Sequence, residues 1–75
     1  MDDSGFNEEA THIIRAELAR RGITYRDLAR RLNIAGETIS ERAIATKISR
    51  GTYSFSWLIK VSRIIGIDRI DISPK

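Results

Sequence analysis

Among the side chains of this sequence that could do chemistry, the arginines are the most informative. Arginine supplies ten of the 13 basic residues, beside ten acidic residues and one histidine. Residues 10–50 hold nine bases against four acids, whereas residues 1–9 hold four acids and no base. Because a guanidinium group can donate two parallel hydrogen bonds to a phosphate or to a guanine edge, the basic middle section predicts nucleic-acid binding. The alternative is that these charges form the solvated surface of ordinary helices.

Groups that could catalyse a reaction are few and poorly placed. His12 is the only histidine and lies among charged and apolar residues, where an exposed or capping role is expected. Adjacent carboxylates such as Glu8 and Glu9 point apart on a helix and make no acid–base pair. The chain has no cysteine, and it contains no nucleotide-binding, hydrolase or metalloprotease motif. We therefore predict a protein that is not an enzyme and that uses no cofactor, metal ion or small-molecule substrate.

Length and composition predict one small domain. Seventy-five residues, 41% of them apolar and 31% charged, suit a single globular unit near the lower limit of independent stability. No apolar run approaches the roughly 18 residues that a membrane span needs. The amino terminus is acidic where a signal peptide would be basic. We therefore predict a cytoplasmic protein with no membrane partner.

Apolar residues spaced three and four apart predict an all-α domain of four to five short helices. The first helix covers residues 9–21 and follows an acidic, flexible tail at residues 1–8. The second begins after the N-cap residue Thr24, because Asp27 stands at the third helical position, where a capping carboxylate is expected. This second helix is predicted to end before Gly36.

The third and fourth helices each have two possible starting points. Thr38 or Ser40 caps the third. Ser54 or Ser56 caps the fourth, which runs to about residue 65. The C-terminal tail, residues 68–75, is expected to form a turn or a single helical turn.

The apolar stripes of these four helices define one predicted core. Trp57 is either absorbed by this core or half exposed as an interface anchor. The predicted core residues are Ile14, Leu18, Ile23, Leu28, Ala29, Leu32, Ile44, Ile48, Phe55, Leu58, Val61 and Ile65.

Two stretches carry a family resemblance, GITYRDLARRL at residues 22–32 and KISRG at residues 47–51. Taken in this order, they resemble the helix-turn-helix domain of the lambda-repressor-like (Cro/CI, XRE-type) regulators, over residues 9–67. In that family a Gly-aliphatic-hydroxyl turn enters the second helix, and the third, recognition helix ends in Ile-x-x-Gly. The same stretches are also similar to a little-characterised bacterial family. The resemblance implies a lambda-repressor-like bundle and a small bacterial or phage-type transcriptional regulator that binds duplex DNA sequence-specifically.

The resemblance also implies DNA contacts for individual residues of the second and third helices. The recognition helix, about residues 39–50, would enter the major groove. Helical periodicity independently places most of its polar residues on the solvent side, although any amphipathic helix has such a face. Base contacts are implied for Arg42, Ala43, Thr46 and Lys47. Phosphate contacts are implied for Tyr25, Arg26 and Arg50, and long-range attraction for Arg30 and Arg31.

The segment between the second and third helices is longer than the three- or four-residue turn of the family. Residues 33–40 add roughly five residues, so either the second helix is extended by a turn or the loop itself is longer. Glu37 and Glu41 lie at the start of the third helix, where carboxylates would repel phosphate. A tilted third helix would not enter the groove, which favours a function other than DNA binding.

A single recognition helix reads only a few base pairs, so DNA recognition predicts a homodimer on two half-sites. The predicted interface is the apolar surface of the fourth helix and the isoleucine-rich tail; the alternative is that this surface belongs to the core. Its candidate residues are Trp57, Ile64, Ile67, Ile70 and Ile72. The alternative function is a protein-interaction module, such as an antitoxin-like helical domain, that holds a partner through these side chains and does not bind DNA.

Overall fold

Four helices account for most of residues 2–74, the part of the chain that the computed structural model describes. They are α1 (Ser4–Arg20), α2 (Tyr25–Ile34), α3 (Glu41–Arg50) and α4 (Phe55–Ile65). No strand occurs within residues 2–74, so the predicted all-α class is confirmed. None of these four helices combines the length and the apolar character that crossing a membrane requires.

Side-chain caps fix the starts of α2, α3 and α4. In each case the hydroxyl oxygen of the residue before the helix accepts a hydrogen bond from the main-chain N–H three residues later, at 3.0–3.1 Å. The cap of α2 is Thr24, as predicted. Ser40, rather than Thr38, caps α3. Ser54, rather than Ser56, caps α4. Each cap gives a partner to an N–H group that the helix leaves unbonded.

The first helix begins at Ser4, which differs from the predicted start at residue 9 and places residues 4–8 in a helix instead of a tail. The Asp2 carboxylate accepts a hydrogen bond from the Ser4 N–H at 2.9 Å. Farther along α1, the Tyr53 hydroxyl donates to the Ala10 carbonyl oxygen at 2.8 Å. Tertiary contacts of this kind extend a helix through residues that have weak helical patterning of their own.

One side-chain hydrogen bond and one close main-chain contact hold the N-terminal half of α1 against the end of α3. Thr11 is buried, and its Oγ1 donates a hydrogen bond to the Ile48 carbonyl oxygen at 2.6 Å. Gly51 ends α3 with a φ of 64°, and a Cβ built there would overlap the carbonyl oxygen of Asn7. The position of α3 therefore depends in part on Asn7, a residue that was expected to lie in a tail.

All four helices contribute to one core, in which every predicted residue except Phe55 and Leu58 is buried. Phe55 is 75% exposed, and Leu58 is only partly buried. Trp57 and Ile67 are buried in addition, so Trp57 belongs to the core. The prediction was wrong for Phe55 because α4 has two apolar rows. The row containing Trp57 and Val61 faces inward and turns Phe55 towards solvent.

Residues 67–74 follow α4 without forming a helix, a strand or the predicted turn. Gly66 ends α4 with a φ of 85°, and its carbonyl oxygen accepts a hydrogen bond from Nη2 of Arg21 at 3.3 Å. Ile67 is buried and Ile70 packs against the core. The segment therefore stays in contact with the helices.

Candidate functional site

The outward side of α3 carries the polar residues that were predicted to contact DNA bases. Ile44 and Ile48 on the inward side are fully buried. Because residues three and four apart share a helix face, their burial fixes the orientation of the whole helix. We call the outward set the α3 face. It consists of Arg42, Ala43, Thr46, Lys47 and Arg50, all of which are exposed except Lys47, which is half-buried.

A shallow groove runs along the α3 face. One wall comes from the α2–α3 turn, and the other from the segment between α3 and α4. Ile39 lies in the first wall, and Thr52 and Tyr53 in the second. The centroids of the Tyr53 and Trp57 rings are 5.5 Å apart. Burial raises the pKa of the Tyr53 hydroxyl group. Three of the four predicted base-contacting residues, Ala43, Thr46 and Lys47, therefore line this groove, whereas Arg42 lies outside its lining.

Arg42 and Arg50 keep their guanidinium donors free. Neither forms a salt bridge or a side-chain hydrogen bond with another residue between 2 and 74. A guanidinium without an intramolecular partner can give both of its parallel hydrogen bonds to a ligand. By contrast, five arginines outside the α3 face lie in ion pairs, namely Arg20, Arg21, Arg26, Arg30 and Arg31.

Lys47 lies at the edge of the α3 face, against the core. Its Nζ is 4.8 Å from the centroid of the Trp57 ring. A cation above an indole ring is attracted by the negative face of the π system. The contact places the ammonium group at the junction of α3 and α4, so Lys47 is less free to reach a ligand than Arg42.

Trp57 also binds the turn between α2 and α3. Its indole N–H donates to Oε1 of Glu37 at 3.2 Å, and Nζ of Lys60 donates to Oε2 of the same carboxylate at 3.1 Å. Glu37 therefore faces α4, where Lys60 balances its charge. Because Lys60 balances this charge, Glu37 should repel phosphate less than the sequence predicted.

The long turn itself is a loop of residues 35–40, because α2 ends at Ile34 and α3 begins at Glu41. The Asn33 side chain closes this loop. Its Nδ2 donates to the carbonyl oxygens of Ala29 at 2.6 Å and of Ile39 at 2.8 Å. The loop alternative is therefore the one observed, and one amide side chain braces it.

The predicted phosphate contacts at the start of α2 lie close to the start of α3. Arg26 is 87% exposed, and its Nε is 3.8 Å from Oε2 of Glu41. Tyr25 is half-buried, and its hydroxyl oxygen accepts a hydrogen bond from Nε of Arg15 at 3.2 Å. The sequence did not predict this role of Arg15, because Arg15 is ten residues before Tyr25 and lies on α1.

Arg30 and Arg31, predicted to act at long range, both pair with Asp27. Arg31 Nη2 lies 3.2 Å from Oδ2 of that carboxylate, and Arg30 binds Oδ1. The hydrogen bond from Arg30 is the main cause that lowers the pKa of Asp27, and Arg31 adds to it. The carboxylate stays ionised at neutral pH and offsets part of the positive charge of this helix.

Most of the apolar residues that were predicted to form an interface pack in or against the core of the same chain. Trp57 and Ile67 are buried, and Ile64 and Ile70 pack against the core as partly buried side chains. Of the predicted set, Ile72 is the residue that is largely exposed.

Several residues that shape the site were missed by sequence reasoning. Asn33 could have been suspected, since a polar amide at the fading end of an apolar stripe suits a turn. The partners of Thr11, Tyr53 and Glu37 lie 20 or more residues away in sequence and leave no local signal.

Comparisons with known proteins place the chain in a family. None of the curated proteins and none of the solved structures matches it. Within residues 2–74, no group of three or more His, Cys, Asp or Glu residues is arranged to hold a metal ion. The family model of a domain of unknown function, DUF6471, matches residues 6–70. The matched range covers α2, α3 and α4 completely and all of α1 except its first two residues, and the chain belongs to the DUF6471 family.

Proposed function

We propose that this protein binds duplex DNA sequence-specifically, with α3 as its recognition helix, and acts as a small helix-turn-helix transcriptional regulator. The observation that carries the proposal is the α3 face, where Arg42 and Arg50 are exposed and free of intramolecular partners. They stand eight residues apart, which is about 12 Å along a helix at 1.5 Å per residue. Arg42 would read a guanine edge near the start of α3, and Arg50 would bind a backbone phosphate at its end.

The residues between these two arginines suit contact with base edges. Ala43 and Thr46 are exposed and small, so a base edge can approach the helix there. Their methyl groups can pack against the methyl group of thymine. Lys47 would need to leave the Trp57 ring to reach a base, and we therefore assign it a smaller share of the recognition than Arg42.

The start of α2 supplies the second part of the proposed interface. Because the Tyr25 hydroxyl oxygen accepts from Arg15, its own proton stays available to donate to a phosphate. Arg26 is exposed beside it and is held only by a 3.8 Å contact to Glu41. An exposed pair of this kind is weak and can give way to a phosphate.

The first experiment is a salt titration of binding to a labelled random duplex, followed by fluorescence anisotropy. The logarithm of the binding constant is expected to fall linearly with the logarithm of salt concentration. Arg50→Ala should reduce the slope by about one and weaken binding to all sequences alike. Arg20→Ala removes the same charge from α1, on a residue paired with Glu17, and serves as the matched control.

The second experiment tests specificity, with a preferred site selected from a pool of random duplexes. Arg42→Ala should weaken binding to that site by roughly 1–3 kcal/mol, a factor of about 5 to 150, and change random-duplex binding far less. Absence of random-duplex binding at about 50 mM salt refutes the proposal, since electrostatic binding is strong there. Equal effects of Arg20→Ala and Arg50→Ala also count against it.

A protein-interaction module is the second candidate function. Exposed Phe55, Ile59 and Ile72 favour it, because apolar side chains of this size are costly to leave in water when they cluster. It becomes the preferred function if the salt titration detects no DNA binding.

A further inference from the structure

We propose that a second copy of this chain covers an apolar groove between α4 and the C-terminal segment. We call it the α4 groove and define it by Phe55, Leu58, Ile59, Ile70 and Ile72, all of which line it. Phe55 and Ile72 are each 75% exposed, and Ile59 is 39% exposed. The role of this dimer rests on the proposed function, because two α3 faces are needed to bind two half-sites of DNA. Formation of the dimer does not itself require DNA.

The clustering of these side chains distinguishes the α4 groove from the rest of the surface. Between residues 2 and 74, five large apolar residues are exposed, and three of them line this one groove. The other two, Phe6 and Ile34, lie at separate places near the ends of α1 and α2. Single apolar residues on a surface need no partner, whereas a group of three along a groove marks a contact surface.

Charges of both signs border the α4 groove, and they indicate which partner fits. Arg63, Asp68 and Arg69 line it, and none of them forms a salt bridge with another residue from 2 to 74. A two-fold axis brings a surface onto its own copy, so a mixed set of charges can complement itself. Nucleic acid and acidic membranes are poorer partners, because Asp68 would repel phosphate.

The order of residues in the C-terminal segment supports self-pairing. If two copies run antiparallel about Ile70, Arg69 of each lies directly opposite Asp71 of the other. The hydrogen bonds from Ser73 lower the pKa of Asp71, so this carboxylate is ionised at neutral pH. The main-chain N–H and C=O groups of residues 68–72 bond to no other residue of the described chain, and they are free to bond across such a pair.

The test measures molar mass by sedimentation equilibrium over a protein concentration range of about 1 µM to 1 mM, where weak and moderate interfaces dissociate. The mass is expected to rise from 8.5 kDa to twice that value. Phe55→Ser should raise the dissociation constant by about tenfold or more, because it removes a large apolar side chain from the contact. Ile34→Ser is the matched control, because Ile34 is 76% exposed, ends its helix and lies outside the α4 groove, and it should change nothing.

A charge exchange tests the pairing itself. Arg69→Asp should weaken the dimer by placing like charges opposite each other, and the double variant with Asp71→Arg should restore it. Both residues are exposed, and thermal unfolding of each variant should match that of the wild type. A chain that stays monomeric at every concentration overturns the proposal. So does an equal effect of Ile34→Ser and Phe55→Ser, or a double variant that remains as weak as Arg69→Asp.

Random-duplex binding separates this proposal from the proposed function. Phe55→Ser leaves the α3 face intact, so a monomer should still bind random duplex, with a salt slope no steeper than that of the wild type. A wild type that dimerises but does not bind duplex supports the dimer and refutes the DNA-binding proposal. A wild type that binds duplex but stays monomeric refutes the dimer alone.

Discussion

Replacement of Gly51 by alanine tests how α1 holds the proposed recognition helix. Gly51 ends α3 with a φ of 64°, in the left-handed region, and its α-carbon lies against the main chain of Asn7 in α1. A methyl group there would overlap the Asn7 carbonyl oxygen. The obstacle is main chain and not a flexible side chain, so relief requires α1 to move away from α3.

The expected loss in the free energy of unfolding of Gly51→Ala combines two effects, and Gly22→Ala allows us to separate them. Gly22 has a φ of 66°, but a Cβ there would meet no atom within 4 Å. Gly22→Ala should therefore cost only the left-handed backbone penalty, about 1–2 kcal/mol. Gly51→Ala should cost the same penalty and about 1–3 kcal/mol more for overpacking. For a domain of this size the extra loss lowers the melting temperature by at least about 4 °C relative to Gly22→Ala.

The assay is urea unfolding followed by the fluorescence of Trp57, the one tryptophan of the chain, with thermal unfolding by circular dichroism beside it. If Gly51→Ala proves no more destabilising than Gly22→Ala, the first turns of α1 do not pack on the end of α3. Residues 1–8 would then be the flexible tail that the sequence alone suggested. The DNA salt titration of Gly51→Ala adds a functional readout, because a displaced α3 should weaken binding at a temperature where the variant is still folded.

Three further predictions concern the contacts that position α3 and the charges around it. Thr11→Val removes the hydrogen bond to the Ile48 carbonyl at nearly constant shape and should cost about 1 kcal/mol in urea unfolding, while Thr11→Ser should recover most of the loss. Asn33→Ala frees the loop of residues 35–40 and should cost about 1 kcal/mol of stability, with faster amide hydrogen exchange at Ile39; unchanged exchange would show that another contact braces the loop. The pKa values of Glu17 and Asp27 are lowered, mainly by hydrogen bonds from Arg21 and Arg30, so the folded chain binds protons there less readily than the unfolded chain. These two carboxylates therefore stabilise the folded chain at pH values above the ordinary pKa values of 4.5 and 3.8, and this stabilisation is lost as the pH falls below them. Glu17→Gln should make the free energy of unfolding depend less on pH in this acidic range.

Local signals were enough to predict the class and most boundaries of the fold. The hydroxyl caps and the glycines that end the helices act within a few residues, so they are visible in the sequence. The start of α1 was not, because its first turns are held by Tyr53 and by the close approach to Gly51, both more than 40 residues away. The choice between the two apolar rows of α4 likewise depended on tertiary packing, which buried Trp57 and exposed Phe55.

The sequence predicted which residues form the candidate site but not which side chains contact each other there. Periodicity placed Arg42 and Arg50 outward, and both are exposed. The sequence did not indicate that Lys47 lies over an indole ring, or that Asp27 offsets the charge of two arginines. Such pairings depend on side-chain directions across helices, and these follow only from the packed structure.

The long turn between α2 and α3, which argued most strongly against DNA binding, is compatible with it when its contacts are considered. Asn33, at the end of α2, bonds to Ile39 near the far end of the loop, and Glu37 is anchored to Trp57 and Lys60 on α4. A loop that is tied at both its base and its middle adds chain length without adding freedom to α3. The same anchor turns the Glu37 carboxylate away from the α3 face, and Glu41 is left as the acidic group at the start of the helix, 3.8 Å from Arg26. If α3 enters the major groove, Glu41 is therefore the residue whose replacement by Gln should strengthen binding, since it removes repulsion and releases Arg26 to a phosphate.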